Sequence, residues 1–354
     1  MSWLCAFSSL IVKRKIIQIG FLIILLGVIY LRISYEKSRP LKETQFALGT
    51  FVTIDIQERN KHNREIIDSA FAIIQTSEKQ FSLTYPESEI NKINNCQNSI
   101  PISQDMQNIL NISRQISIES GGAFDVTVGK IIHMFDFVNE IMPSAEEIDS
   151  ALVCVGYEKI YCKDSKFFTD DPKIFIDLGG IAKGYIVDKA VAYLRKLGIS
   201  NSAINAGGDL FVMRNPETEV WKIGIQHPRN QSSLFGSIEV KDRAVVTSGD
   251  YEKFFIKDGT CIHHIINPKT GLPSYNSVSV TVIAPNTTIA DALCTALFVM
   301  GHENGIKLVD RQDDVEALII YENNGELCYV FSKYFNRYNF TLLDSTAHFS
   351  KDLQ

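Results

Sequence analysis

Apolar and polar positions follow two rhythms along this chain, and each change of rhythm marks an element. After Gly49 they alternate strictly, with Val52, Ile54 and Ile56 on one side and Phe51, Thr53 and Asp55 on the other. That two-residue period predicts a strand within residues 46–57 with one buried face. Over residues 62–80 the period lengthens. Ile66, Ala70, Ile73 and Ile74 recur at three- and four-residue steps and predict an amphipathic helix. Met106, Ile109, Leu110, Ile112 and Ile116 do the same over residues 103–119. Residues 81–94 open as a loop and pass through Pro86. Residues 131–160 mix helix and loop, with a short helix over 144–153 opening on a Ser144-x-x-Glu147 box.

Residues 175–178 read as the end of a buried strand. From Ile181 the pattern is helical through Tyr185, Ile186, Ala190, Val191 and Leu194, and Gly198 suits the C-terminal cap. Residues 202–213 form a hairpin around Gly207-Gly208. Short strands follow over 221–226, 236–240, 243–250 and 278–284, and residues 261–273 run from strand into turn. Thr287 caps a helix over 287–300 that Gly301 stops, with Ile289, Leu293, Leu297 and Met300 as its stripe. Two more strands flank Asn323-Asn324-Gly325, and the last twenty residues are expected to be polar and mobile.

One segment breaks both rhythms. Residues 16–33 are apolar apart from Gln18 and Arg32 and follow Lys13, Arg14 and Lys15. The stretch is long enough to span a bilayer and lacks a small-x-small cleavage site, so an uncleaved signal anchor is expected, with a cleaved signal peptide as the alternative. Basic residues lie on both sides of it, so charge does not set its orientation. The expected organisation is a cytoplasmic N-terminus over 1–15, the membrane span over 16–33, a tether over 34–45, one large catalytic region over 46–335 and a polar tail over 336–354. The net charge of −6 argues against a nucleic-acid partner. Seven scattered cysteines form no CxxC pair, so neither zinc nor a dithiol centre is suggested, and whether Cys154 and Cys162 pair stays open.

Candidate chemistry concentrates in residues 176–190, IDLGGIAKGYIVDKA. A strand end, a bare Gly179-Gly180 turn and a helix start direct free backbone N–H groups at one spot. Lys183 adds positive charge there, and Asp177 adds a carboxylate for a ribose hydroxyl or a metal. Taken alone the segment reads equally well as an ordinary connection. Asp291 and Thr295 stand four apart on the 287–300 helix and share a face, a pair of hard oxygen donors suited to Mg²⁺ or simply packed. His263 and His264 face opposite ways on a strand, so at most one looks into a site, where it would act as a base.

These segments also occur in a fixed order: Gly49-Thr50, GGAFDVTVG, DLGGIAKGYIVD, NAGGDLFV, VVTSGDYEKFF, HHIINPKTGLP and APNTTIADALCTALFVMG. In that order they resemble the ApbE family of FAD:protein FMN transferases over about residues 46–332. The resemblance implies an α+β fold with a tunnelling-fold-like core and a smaller second α/β subdomain. It implies FAD as substrate, Mg²⁺ as cofactor, and transfer of FMN to a threonine of a target protein with release of AMP. The implied targets are extracytoplasmic subunits of membrane electron-transfer complexes, which would place the catalytic region on the periplasmic side of the inner membrane. By residue, it implies metal binding by Gly180, Asp291 and Thr295. It implies FAD contacts by Leu48, Ala123, Phe124, Asp125, Asp177, Lys183 and Ile265, and His264 as the base for the acceptor threonine. Leu48 stands where the family has Met. In the loop that supplies a stacking aromatic, either Thr84 or a displaced Tyr85 takes that place. An FAD pyrophosphatase, or a flavin-binding protein without turnover, would share most of these features.

Overall fold

In the computed structural model, which describes residues 18–30, 32, 39–214, 217 and 220–350, the alternating stretch is strand β2 (Thr50–Ile56). Its Val52, Ile54 and Ile56 are fully buried. A turn at Leu48 and Gly49, both at positive φ, joins it to an antiparallel partner, β1 (Leu41–Ala47). This corrects the expected tether, because residues 41–45 are strand. Polar residues on the inward side of β1 hid it. Glu43 pairs with Arg64 at 2.6 Å and Gln45 bonds Gln75 at 3.2 Å, both partners lying on α1 (Asn63–Phe81).

The chain continues with α2 (Glu89–Asn94), β3 (Ser99–Pro101), α3 (Gln104–Glu119), α4 (Gly129–Ile132), α5 (Ala145–Leu152), β4 (Ile160–Lys163), β5 (Lys166–Thr169) and α6 (Ala182–Lys196). Then come β6 (Ser202–Ala206), β7 (Asp209–Met213), β8 (Trp221–Gln226), β9 (Leu234–Val240), β10 (Arg243–Gly249), β11 (Phe254–Lys257) and β12 (Thr260–His263). The last are β13 (Ser279–Ala284), α7 (Thr287–Val309), β14 (Glu316–Asn323), β15 (Glu326–Phe331), β16 (Thr341–Leu342) and β17 (His348–Phe349). The expected capping box of α5 is present at Ser144 and Glu147.

The main sheet has nine strands in the order β1-β2-β6-β7-β10-β13-β14-β15-β17, antiparallel except for the last pair. Helices α1, α6 and α7 cover one face through the main apolar core. The small sheet β16-β9-β8 covers part of the other face. Helices segregated to one side of an antiparallel sheet make the α+β arrangement that was expected.

Three expectations change. Residues 175–178 are not a strand. Only Phe175 bridges to Val128, and the Asn94 side chain stands in for a neighbouring strand. It donates to the Ile176 carbonyl at 2.9 Å and accepts the Ile176 N–H at 2.7 Å. The tail is folded rather than mobile through residue 350: β16 pairs with β9, β17 pairs with β15, and Phe335, Phe340 and Phe349 join the second core. Asn286, not Thr287, caps α7 by accepting from the Ile289 N–H at 2.9 Å, and beyond the kink at Gly301 (φ 78°) helix resumes to Val309.

Residues 18–30 are helical and mostly exposed; the remainder of the expected 16–33 span lies largely outside the described residues. Among the described residues no helix is long and apolar enough to cross a membrane. Cys154 and Cys162 are both free.

The tightest helix crossing in the core is α6 on α7 at Gly184, where an added Cβ would lie 2.3 Å from the Thr287 carbonyl oxygen and 2.9 Å from Asp291 Cβ. Helix propensity alone predicts that Gly184→Ala stabilises the protein by roughly 1 kcal/mol. The crossing predicts the opposite sign, a loss of about 1–3 kcal/mol from overpacking. Urea unfolding decides between them, and a stabilised variant would show that the crossing can open without cost.

Candidate active site

Helix α6 begins where the backbone turns at Gly179 and Gly180. Asp177 holds the entry, accepting the Gly179 N–H at 2.6 Å on one oxygen and contacting His133 Nε2 at 3.0 Å with the other. Lys183 follows in the first turn and reaches two buried carboxylates. Its ammonium is 2.8 Å from Asp209 Oδ2 and 3.6 Å from Asp291 Oδ1. The second Asp291 oxygen accepts the Gly184 N–H at 3.0 Å. Burial pulls the Lys183 ammonium down, but the two carboxylates outweigh it and hold it well above its ordinary range, so it stays charged. Burial, then the Asp291 charge, pushes the Asp209 carboxyl well above the usual carboxylate range.

Two cavities meet at this cluster. One, of about 260 Å³, is lined by Phe124, Asp125, Asp177, Gly180, Ile265, Asp291 and Thr295. The other, of about 860 Å³, runs between the Leu48–Thr50 turn, the Gly207–Gly208 turn and β8. Lys183, Thr247, Glu252, Lys253 and His264 line both. The structure therefore gathers Leu48, Ala123, Phe124, Asp125, Asp177, Gly180, Lys183, His264, Ile265, Asp291 and Thr295 around one connected space. Thr84 and Tyr85 line neither cavity, and the Thr84 hydroxyl pairs locally with Ser82 at 2.9 Å. Asp125 lies on the wall, but its carboxylate is tied to its own loop by the Thr127 N–H (2.8 Å) and hydroxyl (2.6 Å) and the Tyr157 N–H (2.9 Å).

The two histidines divide as the strand geometry requires. His263 is buried between Tyr275 and Phe298 and contacts the Ser274 carbonyl through Nε2 at 2.9 Å. His264 faces both cavities. Its Nδ1 lies 3.3 Å from the Lys253 carbonyl, which can only accept, so the proton sits on Nδ1 and Nε2 keeps its lone pair. Burial pushes His264 down to about 4, so it is neutral at neutral pH. Burial likewise pushes Glu252 up to about 7, against the pull of Lys183.

Asp209 and Glu252 are the residues that sequence reasoning missed. Asp209 follows Gly207-Gly208 and was read only as a hairpin position. Nothing local marks Glu252, since its role comes from a bend that brings it beside Lys183.

The chain has relatives along most of its length. The sequence pattern of the ApbE family matches residues 48–319. The FAD:protein FMN transferase of Vibrio cholerae is 32% identical over 271 residues, spanning 74% of this chain and 81% of that protein. Its counterpart in Treponema pallidum is 27% identical over 307 residues, spanning 80% and 85%. The crystal structure of the ApbE protein from Thermotoga maritima superposes with a TM-score of 0.78 at 32% identity, covering 85% of this chain and 99% of that one. The flavin transferase ApbE from Vibrio cholerae superposes at 0.76 and 27% identity over the same shares. A match that runs from the β1–β2 turn to β14, through the elements that wall both cavities, makes this chain a member of the ApbE family.

Proposed function

We propose that this protein is an FAD:protein FMN transferase working at the junction of the two cavities. The observation that carries the reading is the meeting there of a permanently charged Lys183 and a neutral His264 with a free Nε2, on the walls of both chambers. The acceptor threonine hydroxyl attacks the phosphorus on the FMN side of the pyrophosphate. Its proton passes to His264 Nε2, the bond to the AMP phosphate breaks, and AMP leaves. Lys183 offsets charge on the phosphoryl oxygens; the expected cradle of free backbone N–H groups is largely spent, because those of Gly179, Ile181, Ala182 and Gly184 are bonded to Asp177, Leu178 and Asp291.

The residues also fit a hard divalent cation such as Mg²⁺. Asp291 places a buried carboxylate 3.6 Å from the Lys183 ammonium, on the wall of the smaller cavity. Asp291 and Thr295 offer oxygen donors, and the Gly180 backbone runs close by, since a Cβ built there would lie 3.2 Å from Thr295 Oγ1. Asp291, Thr295 and the Gly180 backbone would hold the ion. When bound it would polarise the phosphoryl oxygens and ease departure of AMP. The apolar N-terminal segment supports a further reading, that residues 16–33 anchor the enzyme in the inner membrane with residues 46–335 on the periplasmic side. There an acceptor in a membrane electron-transfer complex would be in reach.

Incubating the purified protein with FAD, Mg²⁺ and an acceptor domain tests the reaction. The expected products are AMP and an acceptor heavier by FMN on a threonine. AMP and free FMN with no modified protein, across a panel of acceptors, would instead make the enzyme an FAD pyrophosphatase. Asp291→Asn keeps an acceptor for the Gly184 N–H, so it is expected to fold normally and to lose Mg²⁺-dependent turnover by roughly 100-fold or more. Undiminished turnover in that variant would remove Asp291 from the metal site.

The acid limb of the rate should follow His264. With its pKa at about 4 instead of 6.5, the base stays unprotonated as pH falls through 6.5, and the His264-dependent loss appears only towards 4. A single limb near 6.5 that His264→Gln abolishes would contradict this assignment. Glu252 gives a separate signature. It gains negative charge as pH rises through about 7, beside the Lys183 that receives the pyrophosphate. FAD binding in EDTA, followed by flavin fluorescence, should weaken over that range, and Glu252→Gln should flatten the dependence.

A further inference from the structure

The reaction assigns no task to Asp209, yet among the described residues it is one of the most buried carboxyl groups, at 2% exposure. Its position is fixed closely. It opens β7 directly after the Gly207–Gly208 turn, which is wedged against Thr50: a Cβ at Gly207 would meet Thr50 Oγ1 at 2.4 Å. The Gly208 N–H is tied to Asn205 Oδ1 at 3.0 Å. From this fixed point Asp209 Oδ2 takes a hydrogen bond from Lys183 Nζ at 2.8 Å.

Lys183 has a second carboxylate within reach. Asp291 Oδ1 is 3.6 Å away, beyond hydrogen-bond length, while its other oxygen is committed to the Gly184 N–H. One ammonium is thus shared unequally between two buried carboxyl groups, Asp209 being the nearer, and an ammonium drawn fully onto Asp291 would compete with a cation for that oxygen. An ammonium seated on Asp291 would neutralise it and repel a divalent ion at short range.

We propose that Asp209 is the positioning residue of the metal site: by holding the Lys183 ammonium on itself, it keeps Asp291 Oδ1 free for a divalent cation. This rests on the reading of Asp291 as a cation ligand. It also explains why a lysine can stand beside a metal ligand without displacing the metal. Lys183 is held to one side, facing the space that receives phosphate.

The test measures Mn²⁺ binding to the FAD-free protein by the electron paramagnetic resonance signal of the free ion, so it does not depend on turnover. Wild type is expected to bind Mn²⁺ and Asp291→Asn to lose it. If Asp291→Asn binds as wild type does, the reading of Asp291 fails and the proposal fails with it. If that control behaves as expected, Asp209→Asn should weaken binding at least about tenfold, because Lys183 moves onto Asp291. Adding Lys183→Met to Asp209→Asn should restore most of the loss, whereas Lys183→Met in the wild-type background should change affinity by less than about threefold. A merely structural Asp209 would show no such rescue. Unchanged binding in Asp209→Asn, or equal tightening by Lys183→Met in both backgrounds, would overturn the proposal and leave the metal reading intact. Should Asp209→Asn fail to fold, Lys183→Met alone decides: tightening of about tenfold or more would mean that the ammonium already occupies Asp291 in the native protein.

Discussion

The hydrogen bond from the Gly184 N–H to the Asp291 carboxylate, 3.0 Å long, is the contact on which the site depends. It forms only because α6 and α7 meet with no side chain between them, at a glycine. One turn further on, Asp188 secures the same crossing. Its carboxylate accepts the N–H groups of Thr287 and Thr288, both at 2.8 Å, and so satisfies two of the free donors at the start of α7. Because Gly184 and Asp188 are four apart on one helix, and Thr287, Asp291 and Thr295 are four apart on the other, one crossing carries the whole set. Shifting either helix by a turn would part Lys183 from Asp291 and carry Thr295 away from Gly180.

What the sequence made legible follows from which interactions are periodic. β2, α1, α3 and the hairpin at Gly207-Gly208 were legible because each buries apolar side chains at a fixed repeat or needs glycine at positive φ. β1 was not, because Glu43 and Gln45 fill its inward positions and find polar partners on α1. The segment at Ile176 looked like a strand since its residues are apolar and buried, yet beyond a short bridge to residues 126–128 the N–H and carbonyl of Ile176 both pair with one amide side chain, from Asn94, 82 positions earlier. No local pattern encodes that pairing. The tail was misjudged for a related reason. Its aromatic residues are spaced too irregularly to set a period, and they bury against β9 and β15 only once those strands exist.

The site residues divide in the same way. Lys183, Asp291 and Thr295 sit on helices at spacings that display their chemistry. Asp291 has a further signal, as the sole charged residue between Thr287 and Met300 on a helix that is apolar nearly all round. A carboxylate there is costly to bury and needs a reason. Asp209 and Glu252 join it only through the closing of the sheet, and with them three carboxyl groups share the surroundings of one ammonium. The fold accommodates that cluster because the surrounding stretch of α7 is fully buried, with Ala290, Ala292, Leu293, Cys294, Ala296, Leu297 and Phe298 all shielded from solvent. The apolar helix supplies the stability that the buried charges subtract, and the same dry surroundings strengthen their pull on a ligand.

The adjacent histidines show how one strand end can fix structure and chemistry at once. His263 takes the Ile265 N–H on Nδ1 at 3.3 Å and faces the Ser274 carbonyl with Nε2, so its proton is on Nε2. His264 has the opposite tautomer, because the Lys253 carbonyl lies against Nδ1 and also accepts the His264 backbone N–H at 3.1 Å. Two neighbouring rings with alternate tautomers require two carbonyls on opposite sides of the strand. The β11–β12 hairpin provides one of them through Lys253, which directly precedes β11. His263 then anchors the strand in the core, and that anchoring restricts His264 to the face where its free nitrogen meets both cavities. Moving the hairpin by one residue would exchange the two roles, burying the base and exposing the anchor.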